Sequence, residues 1–330
     1  MTETVSFPGL GLEFTLNRTA FTIGGWPIRW YGILFAGAAL LGMLYIFKRV
    51  KEFGVDADRM VDVLLGSILG GMVCARAYYV AFSWDTYKNN PAAIFHIWEG
   101  GIAMYGGLIG AVLLAVIFCR WRKVKLLPAM DVGLTGLMLA QAIGRWGNFV
   151  NIEAFGSETT LPWGMTSYTV ASVLGKTGAL AHPTFLYESL WCLAGFAFLA
   201  LYTKRRLFDG ELTLLYLGWY GLGRFFIEGL RMDSLMIGSL RVSQMLALAC
   251  AAFSAAMLLT VRARIRRKNQ PDYLKLYANT AEGQAVVNGT FYKKPQQEPT
   301  AQEEKDETQK QPAQQEQTAQ TEEEQNGENN

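Results

Sequence analysis

The sequence predicts an all-α membrane protein: a bundle of about seven transmembrane helices, with its N-terminus outside, its C-terminus in the cytoplasm and a small cap segment on the outer side. Three observations predict it. Only 18% of the 330 residues are charged while 51% are apolar, whereas soluble domains carry roughly 25% charged residues. Apolar segments, each long enough as a helix to cross ~30 Å of hydrocarbon, recur from Arg29 to Val261. Basic residues then crowd into every second connection between those segments.

Residues 1–28 form an outer N-terminal segment. It has no basic stretch followed by an apolar one, so no cleavable signal peptide is expected and the first span directs insertion. The spans are Arg29–Phe47, Val61–Phe82, Ile102–Cys119, Leu127–Ile143, Pro183–Tyr202, Leu212–Ile227 and Val242–Val261. Glycines within them, such as Gly66, Gly70 and Gly71 or Gly106, Gly107 and Gly110, permit close helix approach. Short cytoplasmic loops carry an excess of Lys and Arg. Lys48, Arg49, Lys51 and Arg59 follow the first span, Arg120, Arg122, Lys123 and Lys125 the third, Lys204, Arg205 and Arg206 the fifth, and Arg262, Arg264, Arg266, Arg267 and Lys268 the last. Those connections therefore face the cytoplasm, which puts the N-terminus outside.

The transmembrane domain thus covers residues 29–262, with the outer cap at 147–181. Residues 263–330 are basic and then rich in Gln and Glu; from about Gln270 they are expected to form a disordered cytoplasmic tail, because such a composition cannot bury enough apolar surface to fold. A net charge of +2 without a basic, aromatic-studded face argues against a nucleic-acid partner. Cys74, Cys119, Cys192 and Cys250 lie in separate apolar stretches, and His96 and His182 stand far apart. Neither a disulfide framework, a metal nor another cofactor is expected.

Ionisable and polar groups at membrane depth are costly and invite a functional explanation. On this topology Tyr31, Tyr105, Arg145, Asn148 and His182 lie at the outer ends of their spans. In the sixth span Tyr220, Arg224, Glu228 and Arg231 are spaced to share one helical face. An i,i+4 pair that merely stiffens the helix accounts equally well for Arg224 and Glu228 alone. Adding Arg145 favours a phosphate, since each guanidinium donates two parallel hydrogen bonds and stays charged. Glu228 and Glu153 would hold the arginines or meet a headgroup hydroxyl. The residues alone define a phospholipid site at the outer leaflet. A lipid flippase or transporter is the alternative, although polar sites near the midplane and repeated halves, common in transporters, are not evident.

One stretch, Gly144-Arg145-Trp146-Gly147-Asn148-Phe149-Val150-Asn151-Ile152-Glu153-Ala154-Phe155-Gly156, resembles the signature of the prolipoprotein diacylglyceryl transferases. Arg29-Trp30-Tyr31-Gly32, His182-Pro183-Thr184-Phe185-Leu186-Tyr187-Glu188 and Tyr220-Gly221-Leu222-Gly223-Arg224-Phe225-Phe226-Ile227-Glu228-Gly229-Leu230-Arg231 resemble further motifs of that family, in the family's order. The resemblance covers Phe21 to Arg262. It implies a multi-pass enzyme of the bacterial cell membrane, with phosphatidylglycerol, the lipobox segment of a preprolipoprotein and membrane lipid as partners. The diacylglyceryl group would pass to the lipobox cysteine thiol, forming a thioether and releasing glycerol phosphate.

By the same resemblance Arg145 binds the headgroup phosphate, Asn148, Asn151, Glu153 and Gly156 shape the site, and Arg224 steadies the leaving phosphate with Glu228 and Tyr220. Tyr31, His182 and Arg231 complete the substrate-binding set, and Arg224, Arg145 and Tyr105 form the catalytic one. Two positions depart from the family pattern. Tyr105-Gly106-Gly107 stands where many members have His-Gly-Gly, and Phe185 where Gln is usual. A tyrosine titrates near ~10 and is a weak base for a thiol, so the proton acceptor stays unassigned. Tyr105 reads equally as an interfacial aromatic, and His182, ahead of Pro183, as a helix-start residue.

Overall fold

A computed structural model describes residues 2–96, 100–232, 236–237, 240–268 and 275–292. The chain divides into two units, Met1–Asn288 and Gly289–Asn330. Of the second, residues 289–292 are described, with the Phe291 and Tyr292 rings meeting edge to face at 4.8 Å.

The first unit runs through strands β1 (Thr2–Phe7), β2 (Leu12–Asn17), β3 (Thr19–Ile23) and β4 (Trp26–Arg29) into helices α1 (Trp30–Arg49), α2 (Ala57–Phe82), α3 (Trp84–Tyr87), α4 (Met104–Trp121) and α5 (Leu126–Asn151). Helices α6 (Tyr168–Leu174), α7 (Thr184–Tyr202) and α8 (Glu211–Leu230) follow, then strands β5 (Met236–Ile237) and β6 (Leu240–Arg241), and helices α9 (Val242–Lys268) and α10 (Ala281–Val287). Among the described residues, six helical runs are long and apolar enough to cross a membrane: Trp30–Phe53, Ala57–Phe82, Met104–Trp121, Leu126–Asn151, Thr184–Arg205 and Val242–Arg267. The chain is a multi-pass helical membrane protein. Helix α8 is as long as α1, but its charged and polar residues leave it outside those six. Among the described residues three two-stranded hairpins, β1–β2, β3–β4 and β5–β6, are added to the helical body, and no strand was expected from the apolar pattern.

Small residues set the helix pairs. A Cβ on Gly106 would lie 2.3 Å from Tyr78 Cβ and one on Gly110 2.2 Å from Cys74 Cβ, so α4 rests directly on α2. Gly42 and Gly136 face each other across α1 and α5, where an added Cβ would meet the opposite carbonyl at 2.8 Å. In a lipid solvent, where apolar burial does not drive helices together, such backbone proximity supplies the packing. Arg76, 7% exposed on α2, fixes the approach to α4. It donates to the carbonyls of Ala93, Ile94, Gly100 and Gly101 at 2.6–2.9 Å.

Helix α5 packs against α1, α7 and α8 and is the most buried of the six candidate spans. It runs two turns beyond the Ile143 boundary expected from hydropathy, because polar signature residues continue the helix once α1 and α7 cover it. At its other end Asp131, fully buried, caps a different helix. Its carboxylate accepts from Gly210 N and Thr213 N, both at 2.8 Å, and from Thr213 Oγ1 at 2.7 Å, satisfying amides that the start of α8 would otherwise leave bare. Asp131→Ala is expected to cost about 2 kcal/mol, measured as a lower thermal midpoint in detergent.

The N-terminal segment and the cap form one folded piece. Ser6 and Thr166 exchange two backbone hydrogen bonds at 2.9 Å, and Val5 and Phe7 join Phe149, Ile152, Met165, Val170 and Ala181 in one apolar cluster. Glu3 accepts from Thr169 N at 2.6 Å and Thr169 Oγ1 at 2.7 Å. Burial works against its ionisation, but these hydrogen bonds outweigh burial and hold the carboxyl below its ordinary range. Helix α5 supplies the cap's first residues, Gly147–Asn151, rather than a loop.

The polar tail also begins later than its composition suggests. Helix α9 continues to Lys268, and residues 277–287 fold onto the end of the first unit that carries the basic connections. Tyr277 and Ala278 are buried against Gly54, Tyr277 N donates to Asp209 Oδ2 at 2.7 Å, and Lys125 pairs with Glu282 at 3.3 Å. Buried Tyr277, Ala278 and Val286 and a capping Thr280 order this short piece. The Gln/Glu-rich remainder, 293–330, lies outside the described residues.

Candidate functional site

Three helix ends converge on a single carboxylate. The last turns of α5 carry Arg145 and Asn148, the first turns of α7 carry Glu188, and the last turns of α8 carry Tyr220, Arg224 and Glu228. Helices α5 and α8 end where α7 begins, so their polar turns meet. Glu188, 5% exposed, is the hub. One oxygen pairs with Arg145; the other lies 3.0 Å from Arg224 Nη1 and 3.6 Å from Arg231 Nη1. The second Arg224 nitrogen pairs with Glu228 Oε2 at 2.5 Å, and Arg241, from β6, donates to the Glu228 carbonyl.

A second layer orients Arg145. Its Nη1 lies 3.5 Å from Asn148 Oδ1, Asn148 Nδ2 donates to Glu153 Oε1 at 2.9 Å, and Asn151 Nδ2 donates to the same oxygen at 3.3 Å. Glu153 reaches back through a strained corner: Ile152 and Ala154 on either side hold φ of 54° and 57°, a left-handed conformation that non-glycine residues adopt at a cost and mostly at functional sites. Tyr220 stacks parallel on Tyr216 with centroids 5.8 Å apart and lines a narrow crevice with Glu188, Trp191, Cys192, Arg224 and Ile227.

The remaining expected residues frame this cluster. Tyr31 lies across the start of the signature: a Cβ on Gly147 would sit 2.8 Å from its ring. Gly156 closes the cap onto α7 and α8. It pairs with Arg231 as an antiparallel bridge and donates to the His182 carbonyl at 2.9 Å, and an added Cβ would come 2.8 Å from His182 Cβ. His182 Nδ1 lies 3.3 Å from Tyr187 Oη, which also accepts from Trp163 Nε1 at 2.7 Å. Partial burial lowers the His182 pKa below its ordinary value, disfavouring the charged ring. Tyr105 stands apart: its described contact is with Ser243 Oγ on α9, at 3.3 Å, and not with the arginines.

Sequence reasoning passed over Glu188, Arg241 and Ser243 as site residues. Glu188 carried a usable signal, since a carboxylate one turn into an apolar helix needs a partner. Arg241 and Ser243 carried none, because nothing in their spacing links them to Glu228 or Tyr105. Chemically, the cluster aims planar, permanently charged donors from separate helices at one anionic point, the geometry that suits a phosphate.

The family model described as prolipoprotein diacylglyceryl transferase matches residues 18–260. A phosphatidylglycerol–prolipoprotein diacylglyceryl transferase of Listeria innocua is 43% identical over 263 residues, covering 79% of this chain and 94% of that one. Its counterpart in Limosilactobacillus reuteri is 42% identical over 268 residues, covering 80% and 96%, and that of Clostridioides difficile 43% over 233 residues, covering 71% and 90%. With a family match spanning most of the chain and the signature arginines meeting on one carboxylate, the protein belongs to the prolipoprotein diacylglyceryl transferase family of membrane enzymes.

Proposed function

We propose that this chain transfers the sn-1,2-diacylglyceryl group of phosphatidylglycerol to the lipobox cysteine of preprolipoproteins at the outer face of the bacterial cell membrane, with α8 crossing as a seventh span. The observation that carries this reading is the meeting of Arg145 and Arg224, from different helices, on Glu188. The thiolate sulfur attacks the glycerol carbon that bears the phosphate ester. The S–C bond forms as the C–O bond breaks, the electron pair leaves on the phosphate oxygen, and glycerol phosphate departs. Arg145 holds the phosphate in the bound lipid, and Arg224, braced by Glu228, takes up the charge that grows on the leaving oxygen. Asn148, Asn151 and Glu153 fix Arg145, while Tyr31, Tyr220, Gly156, His182 and Arg231 shape the walls. The chain's own cysteines take no part in these steps.

Orientation follows from the basic connections at the end opposite the site. The test is thioether formation by purified protein given labelled phosphatidylglycerol and a lipobox peptide. Absence of labelled peptide from a folded preparation overturns the assignment. Tyr105 is assigned to placing the thiol, through a hydroxyl that lies 3.3 Å from Ser243 Oγ. Tyr105→Phe is expected to lower kcat/KM about tenfold, the worth of one hydrogen bond, without moving the pH profile. A loss confined to the basic limb would instead make the phenol the proton acceptor.

A further inference from the structure

Hairpin β3–β4, at the head of α1, carries an apolar face that the described residues leave largely exposed, with Ile28 partly buried near its base. Its register pairs Phe21 with Ile28 and Ile23 with Trp26. Directly opposed residues project to the same side and the side alternates along each strand. Phe21, Ile23, Trp26 and Ile28 therefore share one face, and the Thr22–Pro27 pair takes the other. Trp26 is 74% exposed, Ile23 64% and Phe21 51%. The turn is tight and two-residue, with φ of 55° at Gly24 and 86° at Gly25, a primed geometry that only glycine-like residues hold easily. Among the described residues the hairpin pairs with no third strand, and a lone two-stranded ribbon is at best marginal in water.

Charge and position indicate what covers this face. No acidic residue lies between Glu13 and Glu52, while Arg18 and Arg29 flank the hairpin. Arg18 also lies within electrostatic reach of Glu3; Arg29 is exposed. The base is tied to the first span by Trp30 N donating to the Arg18 carbonyl at 3.1 Å. Along α1 the outward surface continues as Phe35, Leu40 and Leu44, each more than half exposed, as on a helix that faces lipid. Tryptophan and arginine at such a boundary match the interfacial layer of a bilayer.

We infer that the Phe21–Ile23–Trp26–Ile28 face embeds in the interfacial layer of the outer leaflet, with Arg29 and Arg18 on anionic headgroup phosphates. The hairpin then anchors the surface beside Tyr31 and Gly147, and with it the Arg145 end of the site, at headgroup depth. This placement rests on the proposed orientation only for the leaflet it names; contact with lipid follows from the hairpin itself.

The experiment compares the full-length protein with Trp26→Phe in vesicles of phosphatidylcholine and phosphatidylglycerol, so that the difference emission reports Trp26. A blue-shifted difference signal, quenched at least twofold when the phosphatidylcholine is brominated at acyl carbons 6 and 7, is expected. Emission at the wavelength of a water-exposed indole, without quenching, overturns the inference. So does quenching that disappears on adding a lipobox peptide with its apolar segment, which would make the protein substrate the occupant. Sidedness is read separately, by labelling Thr177→Cys in the cap with an impermeant maleimide in sealed right-side-out vesicles against the wild type. Failure there removes the outer-face reading while leaving the lipid contact standing.

Discussion

Arg224→Ala is expected to lower kcat/KM for thioether formation on the order of 10³-fold. On the proposed mechanism the substitution removes a cation that is in place before reaction and is aimed where negative charge grows as the C–O bond breaks, a contribution worth about 4 kcal/mol in such sites. Arg224 is rigidly prepared for it: one nitrogen is 3.0 Å from Glu188 and the other 2.5 Å from Glu228, so little reorganisation accompanies bond cleavage. Lysine is not expected to restore activity, since a single ammonium cannot bridge both carboxylates. Arg145→Ala should act more on the KM for lipid, because on the proposed mechanism that guanidinium engages the phosphate in ground state and transition state alike. Steady-state kinetics with varied phosphatidylglycerol separate the two. Turnover unchanged in both variants would remove the phosphate site from the arginines altogether.

The second large effect is expected on stability. Glu188→Gln keeps the side chain's volume but withdraws the charge on which Arg145, Arg224 and Arg231 meet. Removing one partner of a buried ion pair strands the other, at a cost of roughly 3–5 kcal/mol. The thermal midpoint in detergent should fall on the order of 10 °C, by the usual scaling for a chain of this size. A lipid phosphate offers the arginines a replacement anion, so added phosphatidylglycerol should raise the variant's midpoint more than the wild type's. Equal shifts in the two proteins would mean that Glu188 and the lipid phosphate do not share the same donors.

Much of the helical framework was legible because lipid imposes a simple rule. A spanning segment must be apolar and internally hydrogen bonded, so the expected α2 and α7 ends fall on or next to Phe82 and Tyr202. The errors sit where tertiary cover changes that rule. Helix α5 outlasts its apolar run because α7 covers Phe149, whose ring stacks on Phe185, while the partly exposed Trp146 meets Phe185 edge to face. Strands β1 to β4 are short and mixed in composition, and β1 meets its second neighbour, the cap residue Thr166, only from far along the chain. Residues 277–287 looked like tail because their burial depends on Gly54 and Lys125, distant in sequence.

The site divides in the same way. Arg145, Arg224 and Glu228 could be singled out from cost alone, as charges with no reason to sit near a bilayer. Their convergence required knowing that α7 starts where α5 and α8 stop, and that Glu188 is the point they share. Tyr105 shows the limit of motif reading: it occupies the position of a family histidine, yet its hydroxyl is held by Ser243, a residue in another helix.

The union of Ser6 with Thr166 has a consequence for biogenesis. Four long helices, α1, α2, α4 and α5, separate these partners along the chain, so the first strand emerges well before the segment that completes its cap exists. It pairs at once with β2, but its contact with the cap must wait until residues near 166 have been made and delivered to the same side. Pairing across so long a stretch is slow by nature, which makes closure of the cap a late step in the maturation of the enzyme. Early release from the insertion machinery would then leave a chain with its spans in place and its lid of Val5, Phe7 and Met165 unformed.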